Sequence, residues 1–577
     1  MTDIRRTVLW VVFTMSLFLL WDGWQKYNGH PSFFSPSASR QAAAAASGDA
    51  GASGSLPQPA AVAGAATPAV EAASAAAPLV SEKVHITTDV LNVTLDSQGG
   101  DVSRVELNRY QRSAERPWFA PLLEAVGLRK AEVADTQPIV LMDEMRGYKA
   151  QSGLLGSAGE KLPNHDTLMT VLPGERSLKD GVNELSVRME SPVVGGVKLV
   201  KTYTFKRGEY LIGVKNELVN VGDKPVTPQV YLQLVRDSAP AAGATGFYST
   251  FTGPAVYTDS EKFKKLEFKK IDKNDIDIEK SADDGWVAMV QHYFASAWLH
   301  NASAKREFFV NKIQGSNPQK YAVGMVFTLA QLAPGATESQ QDELFVGPQE
   351  EKKLAAIAPG LELVKDYGWF TIISKPLFWL LDQLHSLVSN WGWAIILLVV
   401  LLKIAFFWLN ASAYRSMAKM KAINPRITEL RERYKDDPQK QQQEMMRIYR
   451  EEKVNPLGSC LPMLAQMPIF IALYWVLLSS VEMRSAPWLG WITDLSVKDP
   501  LYILPLLMTA TSLFQVWLNP TPADPTQAKM MWIMPLAFSF MFFTFPAGLT
   551  LYYVVNNLLT IAQQWLINRQ MGLNTGK

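Results

Sequence analysis

The chain has 577 residues, a net charge of +2 and 48% hydrophobic residues. This length exceeds that of a single domain, and the near-neutral charge predicts neither a nucleic acid nor an acidic substrate as partner. A single cysteine, Cys460, excludes an internal disulfide and a cysteine-only metal site.

The N-terminal segment, 1–27, is predicted to be a membrane anchor. Arg5 and Arg6 precede a short apolar run, and basic residues before such a run favour a cytoplasmic N-terminus. A cleaved signal peptide is the alternative interpretation, because the run is short. Trp21 and Trp24 are typical of a membrane interface, and no convincing small-residue cleavage site follows them, which favours an uncleaved anchor.

Residues 28–81 are rich in Ala, Pro and Ser and contain almost no large apolar side chains. Such a composition cannot bury a core, so we expect a disordered tether.

Residues 82–347 contain short runs in which apolar side chains alternate with polar ones. Leu91, Val93 and Leu95 form one such run, and Gly99-Gly100 breaks it. Period-two runs separated by glycine turns predict antiparallel sheets in an all-β sandwich. The histidines of this segment show no metal-ligand spacing and are expected to be ordinary core or surface residues: His85, His165, His292 and His300.

Residues 348–390 are predicted to hold a linker and an interfacial amphipathic helix. The apolar stretch at 369–388 carries charges and is too short to span a bilayer once Pro376 occupies the first helical turn, with Ser374 available as its cap.

A helical membrane bundle is predicted for 391–570. Its expected spans lie at about 391–410, 461–480, 501–518, 530–545 and 547–567.

Charge asymmetry between the loops predicts the topology. The loop 411–458 is rich in lysine and arginine, whereas 481–500 carries only Arg484 and Lys498. The lysine and arginine bias places 411–458 in the cytoplasm. Six spans, including the anchor, then place both termini in the cytoplasm and the β domain outside.

Lys403 is an ionisable residue inside a predicted span, about 18 Å from the tryptophans at its start. An ammonium at the centre of a lipid-exposed helix costs about 2.5–3.5 kcal/mol. Snorkelling to the headgroups is one interpretation, because Lys403 lies near the far end of the span. The other is a hydrated or polar cavity inside the bundle, and we favour it because intramembrane charges usually mark function.

Polar residues recur at helical spacing on several spans. Interhelical hydrogen bonds are one explanation for them, and a hydrated groove containing Lys403 is the other. The last span carries Tyr553, Asn556, Asn557, Thr560, Gln563 and Gln564, another carries Thr509, Ser512 and Gln515, and a third carries Gln466.

The cytoplasmic loop is predicted to form a two-helix hairpin that turns at Asp436-Asp437-Pro438. Ile427, Leu430 and Tyr434 would line one side of a thin apolar seam, so the hairpin is expected to be mobile. Adaptable contact surface is expected from methionines, namely Met417, Met420, Met445 and Met446. A solvated hairpin that only joins two spans is the alternative.

Motifs for nucleotide binding, zinc hydrolysis or a nucleophilic serine are absent from the sequence. The chain is therefore predicted not to be an enzyme and to use no cofactor or metal.

Several stretches in the C-terminal part resemble the YidC family of bacterial membrane protein insertases, in its Gram-negative form with a large periplasmic domain. They are Tyr367-Gly-Trp, Ser374-Lys-Pro-Leu-Phe-Trp-Leu-Leu, Asn390-Trp-Gly-Trp, Ser416-Met-Ala-Lys-Met, Glu452-Lys-Val-Asn-Pro-Leu-Gly, Gln466-Met-Pro-Ile-Phe, Tyr502-Ile-Leu-Pro, Phe545-Pro-Ala-Gly-Leu and Leu551-Tyr-Tyr.

The resemblance implies a multidomain membrane protein with a five-span insertase core, a hydrophilic groove and a periplasmic all-β supersandwich. It puts Lys403 at the groove-charge position, which is commonly arginine in the family, and Tyr552 and Tyr553 at paired tyrosines that face substrate. Lysine keeps the charge but lacks the planar fork of arginine. The short tail, 571–577, lacks a basic extension, so ribosome contact is expected through the cytosolic loops.

The predicted function is insertion and folding of nascent membrane proteins into the bacterial inner membrane, without nucleotide hydrolysis. Expected partners are nascent membrane proteins, the Sec translocon, the ribosome and membrane lipid, with no nucleic acid-specific site and no small-molecule substrate. A multi-span solute transporter or channel with an external β-sandwich is the alternative, although internal repeats are not evident. A tethered carbohydrate enzyme would need a clustered acid/base pair.

Overall fold

The structure is a computed structural model that describes residues 81–111, 137–156, 159–239, 250–435, 437–452, 461–519 and 525–570. The described residues form two compact units, one ending at Lys365 and the other beginning at Asp366. The predicted anchor, the tether up to residue 80 and the tail 571–577 lie outside the described residues.

The first unit is built from antiparallel strands. Their bounds are β1 Lys83–Thr87, β2 Leu91–Asp96, β3 Asp101–Gln111, β4 Pro138–Met142, β5 Lys149–Gly156, β6 Thr170–Val171, β7 Glu184–Glu190, β8 Val197–Lys206, β9 Leu211–Asn220, β10 Pro228–Asp237, β11 Gly253–Thr258, β12 Lys262–Lys265, β13 Ser281–Ala282, β14 Trp286–Val290, β15 Phe294–Leu299, β16 Arg306–Ile313, β17 Lys320–Thr328 and β18 Thr337–Pro348.

Within the described part of the chain these strands form two nine-stranded sheets. One has the order β1-β2-β3-β5-β10-β17-β16-β13, with β4 beside β3, and the other has the order β12-β11-β14-β15-β18-β9-β8-β7-β6. In β9, Ile212, Val214 and Leu218 are buried at every second or fourth position, as expected for a strand with one face on the core. The sandwich predicted from alternation is therefore confirmed.

Buried polar side chains join the two sheets. The Trp298 indole on β15 donates to the Gln233 carbonyl on β10 at 3.0 Å. The Lys201 ammonium on β8 donates to the carbonyls of Gly99 and Ser152 at 2.6 and 2.7 Å. Gly99 has a φ of +70°, and a Cβ there would lie 2.4 Å from the His165 backbone, so the turn requires glycine.

The β unit continues beyond the predicted boundary at 347. It contains two short helices, α1 (Phe268–Asp272) and α2 (Glu351–Ile357). Leu354 of α2 is fully buried, and the Trp286 indole donates to the Pro359 carbonyl at 3.0 Å. These contacts attach the segment after β18 to the sandwich as far as Lys365.

The second unit is helical. Its helices are α3 Thr371–Val388, α4 Trp391–Ala405, α5 Phe407–Arg433, α6 Pro438–Glu451, α7 Leu461–Ser479, α8 Ile503–Leu518, α9 Pro525–Phe542 and α10 Ala547–Gln570.

The start of α3 differs from the prediction. The helix begins at Thr371, so Pro376 lies in its second turn and Ser374 is not its N-cap. Ser374 is buried, and its hydroxyl donates to the Ala472 carbonyl of α7 at 3.3 Å. The Ser374 side chain, which the local sequence suggested as a helix cap, therefore packs against α7 instead.

The predicted span at 391–410 is interrupted at Phe406. Helix α4 ends at Ala405, and α5 then runs without a break into the hairpin, so the predicted hairpin start at 411 lies inside a helix. Among the described residues no helix alone has the length and hydropathy needed to cross a membrane. Trp391–Ala405 and Phe407–Ser416 meet that criterion together, as a pair bent by 59°.

Large apolar side chains lie on the outer faces of these helices. Trp408 is 84% exposed and Phe540 is 78% exposed. Leu506, Trp517 and Ile533 are exposed as well. Surfaces of this kind are typical of contact with lipid or with an apolar partner.

Candidate functional site

Lys403 projects toward α10. It lies in the last turn of α4, and its ammonium donates to the Thr560 hydroxyl at 2.7 Å. Thr560 is buried and donates in turn to the Asn556 carbonyl at 2.6 Å. The cation is thus bonded to a hydroxyl on another helix of the bundle.

A second polar contact joins α8 and α10. The Asn557 amide donates to the hydroxyls of Ser512 and Thr511 at 3.0 and 3.3 Å. Ser512 was among the predicted groove residues, whereas Thr511 was not recognised. Its position next to Ser512 was the available signal. This contact matches the alternative explanation of the stripes, namely hydrogen bonds between helices.

In the described part of the chain, no side-chain hydrogen bond joins the remaining predicted groove residues to one another, and each is half-buried on its own helix. Thr509 donates to the Pro505 carbonyl one turn earlier at 2.9 Å. Gln466 lies on α7, Gln515 on α8 and Asn556 on α10.

Two glutamines at the end of the polar stripe point to different neighbours. The Gln563 amide donates to the Phe407 carbonyl of α5 at 3.4 Å. The Gln564 amide donates to the Asn519 side chain, after α8, at 3.1 Å. Both are buried, so α10 presents amide groups to two sides of the bundle.

The paired tyrosines belong to an aromatic cluster between α7, α9 and α10. Ring centroids of Phe470 and Tyr553 are 4.8 Å apart, and those of Phe542 and Tyr553 are 4.9 Å apart. Tyr552 is buried and lies 5.5 Å from Tyr553, which is half-buried. The cluster stabilises the helix contacts and leaves Tyr553 the more accessible of the two rings.

The hairpin seam is formed by α5 and α6. Ile423 and Ile427 are buried, and Met420, Met445, Ile448 and Tyr449 pack against them. Leu430 and Tyr434, which were predicted for the seam, are half-buried outside this cluster. Asp437 caps α6 by accepting from the Lys440 N–H at 3.0 Å, a contact that the predicted turn at Asp436-Asp437-Pro438 did not specify.

The four predicted contact methionines divide between seam and surface. Met420 and Met445 pack against the seam and are half-buried. Met446 is 43% exposed and remains a candidate contact. Met417 lies on α5, and its side chain is outside the described residues.

Within the β unit, burial perturbs an acidic and a basic side chain that lie between the sheets. Burial raises the pKa of Asp101 to about 7, although its carboxylate accepts from the Gln151 amide at 2.6 Å. Burial also lowers the pKa of Lys201 to about 8. Both groups lie between the sheets, so they affect the stability of the sandwich and not a surface site.

The predicted ordinary role of the histidines agrees with the contacts of two of them. The His300 ring is 2.7 Å from the Asp342 carboxylate and stacks on Phe327, and both polar side chains are buried. The His165 ring is 2.5 Å from the Tyr231 hydroxyl. No metal-binding group of three ligands occurs within the described ranges.

Comparison with known proteins first defines the class. Residues 383–574 match the family described as "60Kd inner membrane protein", and residues 83–380 match the family described as "YidC periplasmic domain". The chain is thus an inner membrane protein with a periplasmic β-sandwich domain and a helical C-terminal region.

Relatives of nearly equal length then identify the family. A membrane protein insertase YidC of Cupriavidus necator is 53% identical over 574 residues, covering 99% of this chain and 98% of that protein. The same-named protein of Ralstonia nicotianae is 52% identical over 575 residues, with 99% of each covered. This chain belongs to the YidC family, which confirms the resemblance found in the sequence.

A solved structure described as an active YidC insertase with the first transmembrane domain resolved is 19% identical to this chain. It covers 84% of this chain and 92% of its own, with a TM-score of 0.37.

Proposed function

We propose that this protein inserts nascent membrane proteins into the inner membrane through a polar groove lined by α4, α8 and α10. The observation that carries the proposal is the Lys403 ammonium, which bonds to Thr560 inside a bundle with apolar outer faces. Family membership supports the same function, because the relatives are named membrane protein insertases.

The groove would act by replacing lost hydration. A charged group at the centre of a lipid-exposed helix costs about 2.5–3.5 kcal/mol. Lys403 and the neighbouring hydroxyls and amides would contact the polar flank of a client and lower this cost. Burial of apolar surface, at about 25 cal/mol per Å², would then move the hydrophobic segment into lipid, and no nucleotide is required.

The topology belongs to the proposal. Six spans would place both termini in the cytoplasm, with the anchor first and the others formed by α4 with the start of α5, α7, α8, α9 and α10. Helix α3 would lie on the outer surface of the membrane. Its Ile372 and Trp379 are exposed, whereas Leu377 and Leu381 are buried on the opposite face.

The cytosolic hairpin would make the first contact with a client. Met446 and the basic residues of α6 are exposed there, and the ribosome and the Sec translocon are the expected neighbours during synthesis. Exposed basic residues favour contact with ribosomal RNA or with anionic lipid.

Reconstitution in liposomes tests the proposal. The purified chain should insert a labelled small membrane protein without nucleotide, and Lys403→Ala should reduce that insertion. Flux of a small solute without client insertion would instead favour a transporter. Sugar turnover would favour an enzyme.

A further inference from the structure

Helix α10 holds the junction between α4 and α5 on both sides. The two helices are bent by 59° around Phe406. Before the bend, Lys403 donates to Thr560 at 2.7 Å, and after it, the Phe407 carbonyl accepts from Gln563 at 3.4 Å. Thr560 and Gln563 are three residues apart, so both lie on one face of α10.

The bend has no local sequence cause. Helix kinks usually occur at proline, at glycine or where a side chain inserts, and the segment Lys403-Ile-Ala-Phe-Phe-Trp408 contains neither proline nor glycine. The Phe406 N–H makes the ordinary helical bond to the Leu402 carbonyl, at 2.9 Å. Contacts with α10 are therefore the feature that accompanies the bend.

Beyond the bend, α5 is a lever. It continues from Phe407 to Arg433 and carries the hairpin seam, through which α6 is attached. Up to Pro425 this lever is about 25 Å long at about 1.5 Å per residue. A rotation of about 10° at Phe406 would move its far end by about 4 Å.

We propose that the α4–α5 junction is a hinge clamped by Thr560 and Gln563, and that it couples the position of the cytosolic hairpin to that of Lys403. Client capture by the hairpin would swing α5, loosen the Gln563 bond and release Lys403 from Thr560 toward the client. Gln563 is a positioning residue in this scheme. The inference rests on the proposed insertase function for its biological meaning, but the hinge itself is measurable without it.

Gln564 provides a matched control. It is adjacent to Gln563 and equally buried, but its amide donates to Asn519 and to the Leu518 carbonyl at 3.1 and 3.5 Å, on the α8 side. Gln563→Met and Gln564→Met each remove one buried amide and keep the side-chain shape. Only the first removes a contact with α5.

The experiment measures spin-label distances in the full chain in nanodiscs. The labels would be attached at Gln443→Cys on α6 and Ala510→Cys on α8, because both positions are exposed. Cys460→Ser would remove the native cysteine. Gln563→Met should shift or broaden the distance distribution by about 4 Å or more. Gln564→Met should leave it as in the parent protein.

Two results would overturn the hinge. One is an unchanged distance in Gln563→Met, and the other is an equal change in both glutamine variants, which would mean general loosening of α10. Should Gln563→Met fail to fold, Thr560→Val tests the other half of the clamp and should shift the distance in the same way. An unshifted distance in folded Thr560→Val also overturns the proposal.

Client insertion is measured on the same preparations, so the two proposals are separable. A shifted distance with no insertion by the parent protein would leave the hinge standing and reject the insertase function. Normal insertion with no shift in Gln563→Met would reject only the hinge. Under both proposals, Gln563→Met lowers insertion more than Gln564→Met does.

Discussion

Lys403 is the residue whose charge the proposed mechanism needs most directly. Lys403→Arg should retain insertion, because the sign and position of the charge persist. Lys403→Ala should slow insertion of clients with acidic flanks by about fivefold, since a charge pair at 4 Å in wet surroundings contributes about 1 kcal/mol. Lys403→Glu should be worse for the same clients through repulsion.

The measurement uses matched clients that differ only in flank charge, with protein levels checked. Clients with neutral flanks serve as the internal control and should respond less to Lys403→Ala. Equal insertion of all clients by the parent, Ala and Glu proteins would remove Lys403 from the mechanism.

Asp101 should give the β unit a characteristic pH dependence. Its pKa is raised from 3.8 to about 7 by burial, so between about pH 4 and 7 the folded protein binds a proton that the unfolded chain has released. Unfolding free energy should therefore fall as pH rises through this window, with a slope of at most about 1.4 kcal/mol per pH unit.

Asp101→Asn should remove much of that slope. Some of it should remain, because burial also raises the pKa of Asp342. Hydrogen exchange of β5 and β8 amides in the full chain, corrected for intrinsic rates, provides the free energy. Asp277→Asn is the control, since its side chain is 98% exposed. An unchanged slope in Asp101→Asn would contradict the assignment.

At the scale of elements, the hairpin of α5 and α6 should be the least protected helical region. Among the described side chains, its seam consists of Ile423, Ile427 and the side chains packed on them, and its charged surface faces solvent. Amides in 426–450 should exchange faster than those of α7 and α10.

A pair of variants tests whether the seam sets this mobility. Ile427→Ala removes a buried side chain and should lower the free energy of local opening by about 2 kcal/mol or more. Amide exchange in the hairpin should therefore become faster. Met446→Ala removes an exposed side chain and should change little. Protection in 426–450 equal to that of α10 would argue against a mobile capture element.

At the scale of the whole molecule, the proposed topology places loop 411–458 and loop 481–500 on opposite sides of the membrane. Lys440→Cys and Lys498→Cys, each with Cys460→Ser, provide a matched pair because both lysines are exposed. An impermeant thiol reagent added to intact cells with a permeable outer membrane should label residue 498 and not residue 440. Labelling of residue 440 from outside would contradict the proposed topology.

Much of this protein is readable from the sequence alone. Alternation along Leu91–Asp96 and Leu211–Asn220, with glycines between runs, predicts strands because every second side chain must face the core. Apolar runs predict helices in the C-terminal unit, and Asp436-Asp437-Pro438 predicts the turn that precedes α6, because turn residues act locally. The family is also evident from short motifs, because those residues are contiguous in the chain.

Other features were decided only by tertiary structure. No proline or glycine lies at the bend at Phe406, so the local sequence does not predict it. The helix that contacts this junction is more than 150 residues away in the chain. Ser374 has the chemistry of a cap but packs on α7, and the partner of Thr511 is Asn557 on a helix that is distant in the sequence. Local patterns determine periodicity and burial, whereas the partner of Lys403, the order of the strands and the limit of the β unit at Lys365 depend on how distant elements pack.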